Sequence, residues 1–231
     1  MTQGYTMDQA MAEASRCLLC HEPPCSAGCP AGTDPGKFIR QMRLRNLKGA
    51  AATVKRNNPL AGACVVLCPT AELCQRGCSA AGLDRPIDIG ALQRFLVEYA
   101  WAIGFDPRTT AEDNGVRVAV VGAGPSGLAC AAELARAGFQ LTVMEKLDRA
   151  GGIPGHALPD HRLPRAFVDR EIEDIAALGV AFEYERCVEP REELEALFTE
   201  GYQGVYLATG AWDPVRLHLD GGKAEGVWDG M

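Results

Sequence analysis

Eight of the ten cysteines of this 231-residue chain fall within the 62 residues from Cys17 to Cys78, and their spacing constrains the fold more than any other feature. The first group reads Cys17-x2-Cys20-x4-Cys25-x3-Cys29-Pro30, the second Cys64-x3-Cys68-Pro69-x4-Cys74-x3-Cys78. Breakers such as His-Glu-Pro-Pro and Cys-Pro make the chain loop-like from Cys17 to Pro35, so local order there must be imposed by something other than the backbone. A disulfide framework is the weaker reading. The amino terminus MTQGYTMDQAMAEASR has no basic segment leading into an apolar core, which makes the expectation a cytoplasmic protein with reduced thiols. Structural zinc usually brings paired C-x2-C knuckles or histidines, and only one C-x2-C occurs. Iron-sulfur ligation fits better, because a cubane cluster needs thiolates converging from several directions. In bacterial ferredoxins the cysteine before proline ligates the other cluster of a pair. Cys29-Pro30 and Cys68-Pro69 have that form, so the spacing predicts two [4Fe-4S] clusters with interleaved ligation. Cys17, Cys20 and Cys25 serve one, and Cys29 serves its neighbour.

The rest of the chain divides around this cysteine region. Residues 1–110 carry a net charge of +3 and residues 111–231 a net charge of −10, so the two halves are chemically different. Helices are expected at Met7–Ser15, from Pro35 through a segment with Phe38, Ile39, Met42 and Leu47 at helical spacing, at Lys48–Arg56, and at Asp88–Trp101. The second of these is a basic amphipathic helix bearing Lys37, Arg40, Arg43 and Arg45. Without interleaved aromatics in an acidic protein it reads as a solvated face or a docking surface for an acidic partner, not a nucleic-acid site. Expected boundaries are a helical cluster-binding domain at 1–103, a linker at 104–115 and a second domain at 116–231. No apolar run approaches the roughly 18 residues a membrane span needs.

From Val116 onward, strands alternate with helices, which predicts a parallel, doubly wound α/β sheet. Its first strand runs into Gly122-Ala-Gly124-Pro125-Ser126-Gly127, followed by a helical pattern, with Glu145 at the end of the next strand, 18 residues after Gly127. That is the complete context of a dinucleotide fingerprint. Gly122 permits the tight turn, Gly124 lets backbone approach a pyrophosphate, Gly127 lets helix pack on strand, and Glu145 is the acceptor for ribose hydroxyls. Gly151-Gly152 after Glu145, and Ala208-Thr209-Gly210 after the last strand, tip the choice from NAD to FAD. Lys146, Gly152, Thr209 and Gly210 complete the expected cofactor-binding set.

Taken together, EASRCLLCHEPPCSAGCPAGTDPGKFIR, GACVVLCPTAELCQRGC, PIDIGALQRF and GAGPSGL resemble the flavin-containing small subunit of bacterial NAD(P)H-dependent dihydropyrimidine dehydrogenases. Relatives are the amino-terminal region of the eukaryotic enzyme and the glutamate synthase small subunit. The resemblance spans essentially the whole chain. It implies electron transfer from NAD(P)H through FAD and two clusters to a catalytic partner subunit, pyrimidine-reducing or of glutamate synthase type. It also implies a ligand assignment: Cys17, Cys20, Cys25 and Cys78 for one cluster, and Cys29, Cys68, Cys74 and Gln93 for the other, with Cys64 a bystander. Two departures stand out. The family's Gly-Ile-Pro turn near the flavin is Ala157-Leu158-Pro159, and the aromatic that follows is His161. Relatives also continue into a second dinucleotide domain for NAD(P)H, whereas no second G-x-G-x-x-G occurs here. The expectation is a truncated member, a fragment or one piece of a split protein, with an exposed sheet edge, weakened flavin affinity and an NAD(P)H domain on another chain.

Other residues are read plainly. His21 is a loop residue, His156, His161 and His218 carry no catalytic pattern, and Cys130 is a small core residue. A competing reading of the whole is a non-catalytic assembly module that binds zinc or clusters and keeps a vestigial flavin site.

Overall fold

A computed structural model describes residues 4–189 and 191–211; His218 and the carboxyl-terminal part of the expected 116–231 unit lie outside the described residues. The first half is helical. Helix α1 (Met7–Ser15) opens on a capping box in which Thr6 Oγ1 accepts from the Gln9 amide and Gln9 Oε1 accepts from the Thr6 amide. After a four-residue turn, α2 (Pro24–Ala27), helix α3 (Pro35–Arg43) starts with Asp34 as cap and Pro35 at the first position. It buries Phe38, Ile39 and Met42.

Helix α3 does not run on toward Leu47 as the periodicity suggests. Arg45 takes a left-handed φ of 61°, and the Asn46 amide donates back to the Gln41 carbonyl, a C-terminal stop. Asn46 then caps α4 (Leu47–Asn57), so Leu47 begins the next helix. Helix α5 (Ala61–Leu67) was not expected from the sequence. Helix α6 (Ile89–Ala102) is capped by Asp88 and buries Ile89, Leu92, Phe95 and Leu96 in the core shared with α3 and α4.

The segment expected to be a linker has no regular structure but is tied down. The amides of Ala111 and Asn114 donate to the carbonyls of Arg136 and Gly138, and Arg108 is buried beside Asp106. Beyond it lie β1 (Arg117–Val121), α7 (Pro125–Arg136), β2 (Gln140–Met144), α8 (Gly152–His156), α9 (Arg165–Ala176), β3 (Ala181–Glu183), α10 (Arg191–Thr199) and β4 (Gly204–Leu207). The sheet is parallel throughout in the order β3-β2-β1-β4, with Val118 opposite both Leu141 and Gly204. Both faces of β1 are buried, as a parallel strand covered by helices requires. On β4, Tyr206 and Leu207 are exposed among the described residues.

The halves meet where α5 packs on α9. Ala63, Leu163 and Val168 form a small apolar cluster there, with Leu67 and Phe167 against it.

Candidate functional site

The structure gathers the cysteines into two cavities. The first is lined by Cys17, Cys20, Cys25 and Cys78, with Ile39 and Ile87 as apolar walls. Leu19, between the first two thiols, adopts a left-handed φ of 56°. Two side chains of the basic helix hold this loop: Arg43 Nη1 donates to the Cys17 carbonyl at 2.7 Å and Arg40 Nη2 to the Cys20 carbonyl at 3.4 Å. The arginines expected to be a solvated face are therefore partly engaged with the cysteine loop. The Ile87 amide points at Cys78 Sγ, 3.4 Å away.

The second cavity brings together Cys29, Cys68, Cys74 and Gln93, and Cys64 lines it as well. Gln93 arrives on α6, whose start is fixed by Asp88 accepting from the Ala91 amide and from Gln75 Nε2. His21 lines neither cavity.

The thiol chemistry follows from these surroundings. Burial, reinforced by neighbouring cysteines, pushes Cys74 up to about 12 and Cys64 up to about 11. Burial also raises Cys25 and Cys68. Such thiols keep their protons until a cationic metal centre replaces them. Among the described residues, no three His, Cys, Asp or Glu side chains converge on a point that a single ion could fill.

The dinucleotide fingerprint closes as its spacing predicts. Gly122 has φ 105°, and a Cβ there would strike the Ala208 carbonyl; the Ala208 amide in turn donates to the Val121 carbonyl. A Cβ on Gly127 would meet the Gly122 carbonyl, which is the close helix-strand packing its position requires. Gly124 caps α7, Pro125 and Ser126 stand exposed at the helix start, and Gly152, at φ 54°, backs onto Gly124. The open helix start is suited to an anionic phosphate. Ser126 Oγ lies 2.9 Å from Tyr206 Oη. Thr209 and Gly210 follow β4 as exposed residues, Thr209 with its amide beside Gly122, and Lys146 is exposed. Glu145 is buried, with Oε2 accepting from the Ala123 amide at 2.8 Å and Oε1 from the Leu147 amide at 3.1 Å. In this form the carboxylate orders the fingerprint turn, and each oxygen retains a lone pair for a ribose hydroxyl.

A cavity of about 320 Å³ joins the two systems. Cys64 lines it from α5 and Cys68 from just past that helix's end, Pro125 and Leu128 from α7, and Val168 and Glu171 from α9. Helix α5 is thus the wall between the second cysteine cavity and the mouth of the dinucleotide site. Glu171 is a residue sequence reasoning missed. Its signal was its place on an apolar face, three residues after Val168 and four before Ile175.

Comparison with known proteins is consistent with this geometry. Residues 1–105 match the family described as dihydropyrimidine dehydrogenase domain II, 4Fe-4S cluster, and residues 120–167 match the NAD(P)-binding Rossmann-like domain. The chain is 42% identical over 223 residues to the NAD-dependent dihydropyrimidine dehydrogenase subunit PreT of Escherichia coli K12, covering 95% of this chain and 54% of that one. It is 46% identical over 180 residues to PreT of Salmonella typhimurium, covering 78% and 44%. The putative oxidoreductase AegA of Escherichia coli K12 is 31% identical over 231 residues, covering 98% and 35%. The chain thus spans about half the length of the PreT subunits it matches. Among the described residues, no helix is long and apolar enough to cross a membrane.

Proposed function

This chain is a homologue of the NAD-dependent dihydropyrimidine dehydrogenase subunits, an iron-sulfur domain followed by a Rossmann-like region, and on that premise we propose that it is an electron-transfer subunit. In this reading electrons from NAD(P)H pass through FAD and two [4Fe-4S] clusters to a catalytic partner subunit that reduces a pyrimidine. The observation that supports it best is the shared wall: Cys64 and Cys68 line both the second cysteine cavity and the cavity at the dinucleotide fingerprint.

The residues fit the groups the reading requires. Cys17, Cys20, Cys25 and Cys78 would hold one cluster, and Cys29, Cys68, Cys74 and Gln93 the other, each set drawn into its own cavity. Gly122, Gly124, Pro125, Ser126, Gly127 and Gly152 would cradle the pyrophosphate, with Glu145 and Lys146 toward the ribose and Thr209 and Gly210 along the far side. When bound, a flavin would accept electron pairs from the nicotinamide, and the clusters would carry electrons singly. The chain's own contribution is binding and an apolar lining. Ile39, Ile87 and Ile89 give the first thiol set apolar walls, and Leu60, Leu67 and Leu128 do so for the cavity between the halves. The catalytic partner in this reading is supported by the relatives' naming as dehydrogenase subunits.

Anaerobic purification with assay of iron, acid-labile sulfide and flavin per polypeptide tests the reading. The expected result is about eight iron and eight sulfide, as two cubanes require, with flavin alongside. Zinc without sulfide would sink it and leave an assembly module.

A further inference from the structure

Glu171 is the one carboxyl among the residues lining the cavity between the halves, and nothing above uses it chemically. Its side chain is 3% exposed. Oε1 accepts from the amides of Gly62 and Ala63, at 2.5 and 3.1 Å, in the first turn of α5. Oε2 makes no hydrogen bond among the described residues. The titratable and charged groups around it are Asp174 on its own helix, Arg108 from the connecting segment, Cys64 from α5, and Cys68, which lines the same cavity just past the end of α5. Helix α7 presents only Pro125 and Leu128 to the cavity, and α6 presents the Trp101 ring beside Gly62. Burial outweighs the two amide donors and pushes the carboxyl up to about 8. An acid so placed is neutral at neutral pH.

Resting on the electron-transfer reading, we propose that Glu171 is a positioning residue that also holds a proton. It pins the α5 wall, with Cys64 and Cys68, to the dinucleotide half, and its Oε2 binds one solvent proton for each electron added at the second cysteine set. The electron, from a low-potential reductant such as dithionite, places one negative charge beyond a wall one helix thick. The proton cancels that charge, so an apolar cavity is spared an uncompensated anion. Below the carboxyl's own titration the proton is already present and reduction draws none. Above it, reduction and protonation go together.

The test is a potentiometric titration of the anaerobically purified full chain from about pH 6 to about pH 10, following the second cluster by electron paramagnetic resonance. The wild-type midpoint potential should be level below pH about 8 and fall above it, toward about 59 mV for each tenfold drop in proton concentration. Glu171→Gln keeps an acceptor for Gly62 and Ala63 but cannot titrate, so its potential should stay level throughout. A level wild-type profile, or equal slopes in both proteins, overturns the proposal. Should Glu171→Gln fail to fold, the wild-type infrared spectrum, reduced minus oxidised at about pH 9, decides instead. A gained protonated-carboxyl band supports the assignment, and its absence refutes it. Iron and sulfide are assayed before the titration. Their absence would defeat the electron-transfer reading and this one together, whereas a loaded chain with equal slopes defeats only the role of Glu171.

Discussion

Lys55 Nζ lies 2.8 Å from Asp174 Oδ2, so the cysteine-bearing half and the dinucleotide half are joined by an ion pair whose side chains are 6% and 12% exposed. Asp174 also accepts from Trp101 Nε1 at 2.9 Å, and Lys55 reaches Asp106 at 3.3 Å. A pair this buried gains little over an apolar replacement of both partners, but losing one partner strands the other charge. Lys55→Met should therefore destabilise the chain by about 3 kcal/mol, the lower end of the usual range, because Arg108 still lies near both carboxylates. Urea unfolding measures this as a lowered midpoint. The double variant Lys55→Met/Asp174→Leu should cost less than the two single changes combined.

Gly122 and Gly124 are alike in sequence and unlike in what surrounds them. A Cβ on Gly122 meets the Ala208 carbonyl and must sit at φ 105°, whereas a Cβ on Gly124 meets only the Gly152 Cα, at 3.9 Å. Gly122→Ala should lose more than about 2 kcal/mol of stability through strain and backbone clash. Gly124→Ala should unfold close to wild type but bind flavin at least about tenfold more weakly, since the added methyl stands where a pyrophosphate must approach. Thermal unfolding and flavin fluorescence titration, run on both variants, separate the two effects.

Cys64 and Gln93 line the same cavity, so the cavity alone leaves the fourth ligand of the second set open between them. Burial raises Cys64 to about 11 and Cys74 to about 12, so ease of ionisation does not set Cys64 apart from an assigned ligand, and the choice of Gln93 rests on the family resemblance. We expect Cys64→Ser to retain about eight iron per chain, and Gln93→Leu to lose about four or to change the paramagnetic signature of one cluster. The reverse pattern would move the ligand assignment to Cys64.

Much of this arrangement was legible because it rests on local chemistry. Pro35 after Asp34, the stripe Ile89, Leu92, Phe95 and Leu96, and a glycine fingerprint between two strands each predict their element without help from the rest of the chain. Helix α5 was not legible for the opposite reason. Its sequence is rich in glycine, alanine and cysteine, and its first amides are satisfied by Glu171, more than 100 residues away. The same holds for Arg40 and Arg43. Their spacing marks an exposed helical face, but their acceptors are carbonyls of the cysteine loop, contacts no periodicity encodes. The stop of α3 at Arg43 turns on a left-handed arginine where glycine would have been the readable signal.

Stability should also carry the signature of Glu171. Burial, only partly offset by the Ala63 and Gly62 amides, raises its carboxyl from 4.5 to about 8 in the folded chain. A group whose pKa is higher folded than unfolded makes its full contribution below the unfolded value and loses it as pH rises through the folded one. Wild-type stability should therefore decline between pH about 4.5 and about 8 by a few kcal/mol, and change little from this source beyond. Asp106 works in the opposite sense. Burial alone would raise it, but hydrogen bonds and charge from Arg108, with Lys55 nearby, hold it below its usual value. Its contribution is present above that value and lost only as pH falls below it, outside the window of Glu171. Urea midpoints of wild type and Glu171→Gln, compared at about pH 5 and about pH 9, isolate the carboxyl. The variant should match wild type at the lower pH and exceed it at the higher, because the amide leaves no anion to bury. Equal midpoints at about pH 9 would mean that the folded chain admits enough water to Oε2 to keep the carboxyl ordinary.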